Sequence, residues 1–315
     1  MVTITLEDGS PRPLPPGEGI AGSNCGVAGV WRFAVAQPGP HIALTALIHG
    51  NEVCGADALW RVLQSPPRLS RGRLTLVFCN LDAYGRLDDA GKQERRFVDE
   101  DLNRVWGRIE APADAGDTYE LRRAREILPW VQGADMLLDL HSMSTGAPPL
   151  GLVGLASKNV DFARKVGYPA LLVRDAGHAA GKRLIDCAPF GDPAASNAAM
   201  LVECGQHFST AAFDAAQEAV RRTISFLLDE GKPEPARPQS VIEVTQAVTI
   251  QTGSFEFARE WPNMSVVPEA GTLVARDGEL EVRTPHADTY LVMPASARYR
   301  RPGLTAVRFG KRVAY

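Results

Sequence analysis

Two histidines and a glutamate, set where apolar runs end, are the residues best suited to chemistry. His49 and Glu52 stand three apart in Ile48-His49-Gly50-Asn51-Glu52, directly after the apolar run 41–48. His141 closes a second run, Met136-Leu137-Leu138-Asp139-Leu140-His141-Ser142. Imidazole nitrogen and carboxylate oxygen are both zinc donors. Three protein ligands leave the fourth zinc position open for water, the arrangement of a catalytic ion rather than a structural one. Taken alone, His49-Gly50-Asn51-Glu52 is equally a polar strand-to-helix turn with Asn51 as N-cap. The second run tips it toward metal.

A zinc ion lowers the pKa of its bound water to about 7. Hydrolysis then needs a general base nearby and a donor where oxyanion charge develops. Glu203, at the end of the apolar run 198–203, fits the base; standing alone it is a strand-end residue in a salt bridge. Arg96, in Arg95-Arg96-Phe97-Val98-Asp99-Glu100-Asp101-Leu102-Asn103-Arg104, fits the donor. Asn103 and Arg104 are then left to hold a substrate carboxylate, because a guanidinium matches a carboxylate fork to fork. On composition alone this segment is a solvated charged loop. Together these residues suit attack on the carbonyl of an amide in a small anionic molecule.

Such residues must be positioned by an α/β sheet. The run 41–48, a helical pattern over 53–64 and the run 73–80 form strand, helix, strand, which argues for parallel pairing. Ligands of open α/β sheets bind at the carboxyl ends of the strands, where His49 and His141 fall. Periodicity then disappears until Tyr119, and a loop that long inside a domain is usually functional. Beyond it the pattern predicts helix 119–131, strands 134–141 and 150–155, helix 157–166 capped by Ser157, strand 170–173, a loop 175–197, strand 198–203 and helix 210–228. The Pro-rich spacer 232–238 divides the chain into a catalytic domain, 1–232, and a small β domain, 240–315. The second part carries β-type runs at 241–250, 272–275 and 290–293, with Asp277-Gly278 as a turn.

Composition narrows the partners. The 315 residues are 45% hydrophobic and 23% charged, with a formal charge of -3. That balance gives no reason to expect nucleic acid or an anionic membrane, and no apolar run reaches membrane length. The N-terminal residues lack the pattern of a signal peptide. Five cysteines (25, 54, 79, 187 and 204) without CxxC spacing suit free thiols, hence a cytoplasmic protein. Cys204 reads as a small core residue rather than a nucleophile.

Four short motifs occur in order: His49-Gly50-Asn51-Glu52, Asp101-Leu102-Asn103-Arg104, Asp139-Leu140-His141 and Val202-Glu203-Cys204-Gly205. Together they resemble the aspartoacylase/succinylglutamate desuccinylase family, relatives of the zinc carboxypeptidases, best over residues 40–230. The resemblance implies an α/β fold with a mixed, largely parallel sheet flanked by helices, and a small C-terminal β domain covering the cleft. It implies one Zn²⁺ per chain held by His49, Glu52 and His141, with Glu203 as general base and acid. It implies that Arg96 polarises the scissile carbonyl and that Asn103 and Arg104 bind the carboxylate of an N-acyl amino acid. The tyrosine lent by the family's C-terminal domain matches Tyr299, which is otherwise a surface tyrosine in a basic loop. A homodimer is a further implication.

One departure bears on the substrate. The family's second carboxylate-binding arginine precedes the base by about ten residues, and that place here is Asp192-Pro193-Ala194. Lys182, Arg183 and Arg301 are the stand-ins, and N-acetylaspartate or succinylglutamate is disfavoured. The expectation is a zinc-dependent deacylase of a small N-acyl amino acid. The alternatives are a zinc carboxypeptidase acting on peptides and a non-catalytic metal- or metabolite-binding protein. His178, His207 and His286 are the next candidate ligands should the first set fail.

Overall fold

A computed structural model describes residues 2–87, 96–114, 116–177, 180–228 and 238–315. In chain order the elements are β1 (Thr3–Thr5), β2 (Pro11–Pro13), α1 (Gly17–Ala21), β3 (Val30–Ala34), β4 (His41–Ala46), α2 (Val53–Gln64), β5 (Arg73–Phe78), α3 (Leu81–Gly85), α4 (Tyr119–Val131), β6 (Met136–Met143), β7 (Leu150–Leu152), α5 (Ser157–Val166), β8 (Leu171–Arg174), β9 (Ala198–Gln206) and α6 (Thr210–Ile224). After the spacer come β10 (Ser240–Thr249), β11 (Phe255–Phe257), β12 (Ser265–Val267), β13 (Leu273–Asp277), β14 (Leu280–Arg283), β15 (Thr289–Val292) and β16 (Thr305–Val313).

Among the described residues, eleven strands form one mixed sheet in the order β12-β15-β16-β10-β8-β7-β9-β6-β4-β5-β3. The strands that end in candidate site residues are parallel neighbours: β4 beside β6, and β6 beside β9. They read as unbroken apolar runs because both faces are covered. Ile42, Leu44 and Ala46 pack on one side with Leu59 of α2 and Phe213 of α6. Ala43, Leu137 and Leu201 pack on the other with Ala124 and Ile127 of α4. This alternation puts Thr45, Asp139, His141 and Glu203 on the α4 side. Register does the rest: Thr45 lies opposite Asp139, and His141 opposite Glu203.

The fold class is that read from the sequence. Chain from beyond the spacer continues the same sheet, since β10 pairs in parallel with β8 and antiparallel with β16. A separate three-stranded sheet, β11-β13-β14, packs on the end of the large sheet through an apolar cluster that joins Phe255, Phe257 and Trp261 to Val248, Leu291 and Phe309. Most of the spacer, residues 232–237, lies outside the described residues. No helix among the described residues is long and apolar enough to cross a membrane.

Local readings differ at several points. Asn51 is not the cap of α2. Glu52 holds that position without a side-chain cap bond, because its carboxylate is turned toward two histidines. Ala156, not Ser157, precedes α5, and α6 gives way to a 3₁₀ turn at Ser225–Leu227. The long loop after β5 contains α3 and a 3₁₀ turn, Leu102–Arg104.

Candidate metal centre and catalytic cleft

The metal-ligand candidates come together. Leu47 leaves β4 with a positive φ of 59°, buried and in the left-handed region, and the chain then turns through His49 to α2. His49 Nδ1 lies 2.8 Å from Glu52 Oε1, and His141 Nδ1 lies 2.8 Å from Glu52 Oε2. One ligand atom from each of the three falls within 4.8 Å of the others, and each residue is 2% exposed. The outer nitrogens are also engaged. His49 Nε2 faces Asp101 Oδ1 at 2.9 Å, and His141 Nε2 faces Asp139 Oδ2 at 2.9 Å. An imidazole that gives its Nε2–H to an aspartate turns a bare Nδ1 lone pair inward. Two such lone pairs against one carboxylate repel unless a cation or protons lie between them. Imidazoles backed by carboxylates around a third oxygen donor are what a zinc-type ion takes, so the residues present fit such an ion.

The charges respond accordingly. Burial raises the Glu52 pKa, but the charges and hydrogen bonds of His49 and His141 outweigh it and hold the carboxyl well below its usual range. Burial works against protonation of His141, but Asp139 and Glu52 hold it well above the ordinary histidine value. Asp101 is held low in spite of burial by His49, Arg96 and Arg104.

Glu203 faces His141 across the β6–β9 register. It is 7% exposed, and its Oε2 has no hydrogen-bond partner among the described residues. Burial first, then the Glu52 charge, push its carboxyl up to about 8, against the pull of His141 and Arg96. A divalent cation between the histidines would reverse that field.

The charged loop reaches the same place because of a buried carboxylate on α4. Glu120 accepts the backbone N–H of Val98 at 2.6 Å, Asp99 at 3.0 Å and Glu100 at 3.1 Å. Gly50 N–H donates to the Arg96 carbonyl at 3.0 Å. Thus pinned, Arg96 donates Nη1 to Glu52 Oε1 at 2.9 Å, with Nη2 3.6 Å from Asp101 Oδ2. Asp101 Oδ1 accepts from the Asn103 backbone at 2.8 Å and so caps the 3₁₀ turn carrying Asn103 and Arg104. Asn103 Oδ1 accepts the Leu184 N–H at 3.0 Å, leaving Nδ2 to donate elsewhere. Arg104 donates to the Asn103 carbonyl at 2.6 Å and lies 3.8 Å from Asp101. Its pKa is lowered by burial and by Arg96, Arg183 and Arg308, with Asp101 opposing.

Residues 38–226 match the model of the succinylglutamate desuccinylase/aspartoacylase catalytic domain. The chain belongs to this family. Over 302 residues, 86% of this chain and 79% of the relative, it is 26% identical to a succinylglutamate desuccinylase of Burkholderia pseudomallei. A 137-residue stretch is 29% identical to an N-acyl-aromatic-L-amino acid amidohydrolase (carboxylate-forming) of Xenopus laevis. That stretch is 41% of this chain and spans only 42% of the relative. Among solved structures, succinylglutamate desuccinylase from Vibrio cholerae superposes with a TM-score of 0.67 at 17% identity, covering 99% of this chain and 91% of that one. Murine aminoacylase 3 gives 0.61 at 18% identity, over 89% and 97%. At these identities the structures show the shared fold.

Within this family frame, Tyr299 lies outside the ligand cluster. It sits half-buried in the 3₁₀ turn Ala297–Tyr299, and its hydroxyl accepts from Arg298 Nη2 at 2.7 Å. It lies near enough to Arg96 for the two to interact electrostatically. The segment Asp192-Pro193-Ala194 is exposed, and the Asp192 carbonyl is taken by Lys158. Arg183 is buried and committed to Asp175 and Asp186, while Arg301 donates to the Arg298 carbonyl. Lys182 is exposed, its stem close to Gly107. His286 bonds Thr289 in the C-terminal part, and His178 lies outside the described residues. Cys204 is a core thiol, pushed up by its hydrogen bond with Cys54 and by burial; all five cysteines are free.

Several site residues went unread in the sequence. Asp139 takes His141 on one oxygen and the Thr45 hydroxyl, at 2.6 Å, on the other. Ser142 donates its N–H to Glu52 Oε2 at 3.1 Å, and its hydroxyl lies 2.8 Å from Nδ1 of the buried His207. Burial chiefly holds the His207 pKa down, at about 4, so this ring is neutral near pH 7. Asp139, two before His141 on a strand, was readable as a same-face neighbour. Ser142 carries no such signal, and His207, read from the sequence as a fallback ligand, instead faces the Ser142 hydroxyl.

Proposed function

We propose that this chain is a zinc-dependent hydrolase, one ion per chain, that removes the acyl group from a small N-acyl amino acid. The observation that carries the reading is the buried His49–Glu52–His141 donor set, with Glu203 beside His141 on the neighbouring strand and its Oε2 without a partner among the described residues. His49, Glu52 and His141 would hold the ion, with Asp101 and Asp139 fixing both ring orientations. When bound, the ion polarises the substrate carbonyl and makes water a nucleophile near neutral pH.

Glu203 takes the proton from the attacking water and passes it to the departing amine nitrogen. Its free Oε2 and dry surroundings suit both halves of that transfer. Arg96 donates to the carbonyl oxygen as negative charge develops there, already anchored by Glu52 and Asp101. Asn103 Nδ2 and the Arg104 fork hold the α-carboxylate of the amino acid. Their aim is set by the Asp101 cap and the Leu184 N–H. Tyr299 narrows the mouth from the C-terminal side. The products are a free carboxylate and an amine, so one water is consumed per bond cut. Similarity to amidohydrolases and desuccinylases supports the same class of substrate.

Zinc-loaded protein should hydrolyse N-acetyl amino acids in preference to dipeptides blocked at their N-terminus. Faster cleavage of blocked dipeptides would replace the reading with a carboxypeptidase. No hydrolysis of either, with zinc bound, would leave a binding protein.

A further inference from the structure

Beside the cleft lies a cavity of about 390 Å³ to which no role has yet been given. That volume falls in the range of small-molecule pockets, about 300–1,000 Å³. Thr145 and Gly146 of its lining follow closely on β6, four and five residues beyond His141. The lining also includes Ser296 and Ala297, the latter in the same 3₁₀ turn as Tyr299. Asn263 joins the two segments, donating to Met143 Sδ at 3.3 Å and accepting from the Met293 N–H at 2.8 Å. The cavity is therefore lined both by the segment that follows the strand of a candidate ligand and by the turn that carries Tyr299.

Its walls are apolar in the larger part, with Thr145, Glu260, Asn263, Ser296 and Arg300 among them. Phe257, Trp261, Pro262 and Pro294 line it. The polar atom of Trp261 is spent inside the protein, its indole N–H donating to the Val274 carbonyl at 3.0 Å. The Asn263 amide is spent as described. Arg300 lies with its guanidinium 4.8 Å from the Phe257 ring centre, facing Glu260 at 3.3 Å. One buried polar atom of the lining is left over: the Ser296 hydroxyl oxygen has no partner among the described residues. A ligand that suits this lining is an apolar group, flat or extended, with a polar atom to meet Ser296.

We infer that this cavity is the specificity pocket of the deacylase, and that it takes a large apolar group of the substrate. The inference rests on the N-acyl amino acid reading and adds which members of that class are preferred. The apolar group is either the side chain of the amino acid or the chain of the acyl half. Both present the same surface to Phe257, Trp261 and the prolines, and burying either removes apolar area from water.

The pocket can be filled from two segments. At Gly146 an added Cβ meets nothing within 4 Å and the backbone is not left-handed, so Gly146→Leu enters the cavity without strain. Ala297 is an exposed lining residue of a distant segment, and Ala297→Trp enters from there. The readout is a ratio of kcat/KM values in the zinc-loaded enzyme. N-acetyl-L-phenylalanine over N-acetyl-L-alanine reports the amine half, and N-hexanoyl-L-alanine over N-acetyl-L-alanine the acyl half. One ratio should fall about tenfold or more in both variants, the scale set by losing apolar contacts in a specificity pocket, and which ratio falls names the half. Neither ratio moving in active variants overturns the inference. Calorimetric binding of both large compounds separates the two layers of the argument. If neither is turned over, yet one binds wild type more tightly than Gly146→Leu, the deacylase reading fails and the pocket stands. Equal binding to both proteins removes the pocket.

Discussion

Asp101→Asn isolates how the His49 ring is held. Asp101 Oδ1 receives His49 Nε2 at 2.9 Å and the Asn103 N–H at 2.8 Å, and its other oxygen lies between Arg96 and Arg104. Asparagine caps helical turns as well as aspartate does, so the turn carrying Asn103 and Arg104 should survive. What is lost is the negative charge behind the imidazole. Replacing such a partner typically costs 10–100-fold in metal affinity. The Asp101 side chain keeps 21% of its exposure, so water screens part of the effect. The expected loss is at the low end, about 10–30-fold, or roughly 1.4–2 kcal/mol. Asp139, fully buried behind His141, should lie at the high end, near 100-fold for Asp139→Asn. Zinc affinity is read by competition with a chromogenic chelator, with thermal unfolding of the metal-free proteins as a control for folding. Affinities equal to wild type in both variants would refute the idea that these aspartates orient the ligands. A larger loss at Asp101 than at Asp139 would refute the burial argument.

Other expectations follow from the same geometry. Glu203→Ala should keep its zinc in elemental analysis while turnover of an N-acyl amino acid falls roughly 10²–10⁴-fold; retained turnover would remove Glu203 from the chemistry. Gly181 has φ +150°, and a Cβ there would lie 2.1 Å from the Arg104 carbonyl oxygen. Gly181→Ala should therefore shift Arg104 and lower kcat/KM by about 10–100-fold, as misplacement near 1 Å does; unaltered steady-state kinetics would show that Arg104 is not so held. His41, bonded to the Gly133 carbonyl and the Thr75 hydroxyl, has a pKa pushed below its ordinary 6.5, chiefly by burial. The unfolded chain then binds the extra proton first, so this contribution is intact above pH 6.5 and is lost as pH falls toward the folded value. Wild type should lose more thermal stability than His41→Gln between pH 7.5 and 5.5, and parallel curves would contradict that.

The ligand candidates were legible because each ends an apolar run, and a polar residue at the end of a buried strand is conspicuous. The helices Val53–Gln64 and Tyr119–Val131 were legible from periodicity, which depends only on local spacing. Asn51 was misread because capping logic is local, whereas Glu52 and Asn51 are placed by the buried turn they share with His49. Glu120 passed for one more charge on a charged helix. Its burial depends on three backbone N–H groups from the loop before it, which no local pattern reveals. β11, β12 and β14 are too short to show alternation. β16 hides because Arg308 interrupts its apolar pattern, and that buried arginine lies beside Asp175 of a distant segment. Motifs thus led to the residues, and long-range pairing decided how each is aimed.

The most direct test of the metal centre is elemental analysis of purified protein, wild type beside His141→Ala, after zinc is supplied and excess is removed. About one zinc per chain in wild type and far less in the variant is expected, since two protein ligands rarely hold a catalytic ion. Equal zinc in both proteins, or none in wild type, would contradict a site built on His49, Glu52 and His141.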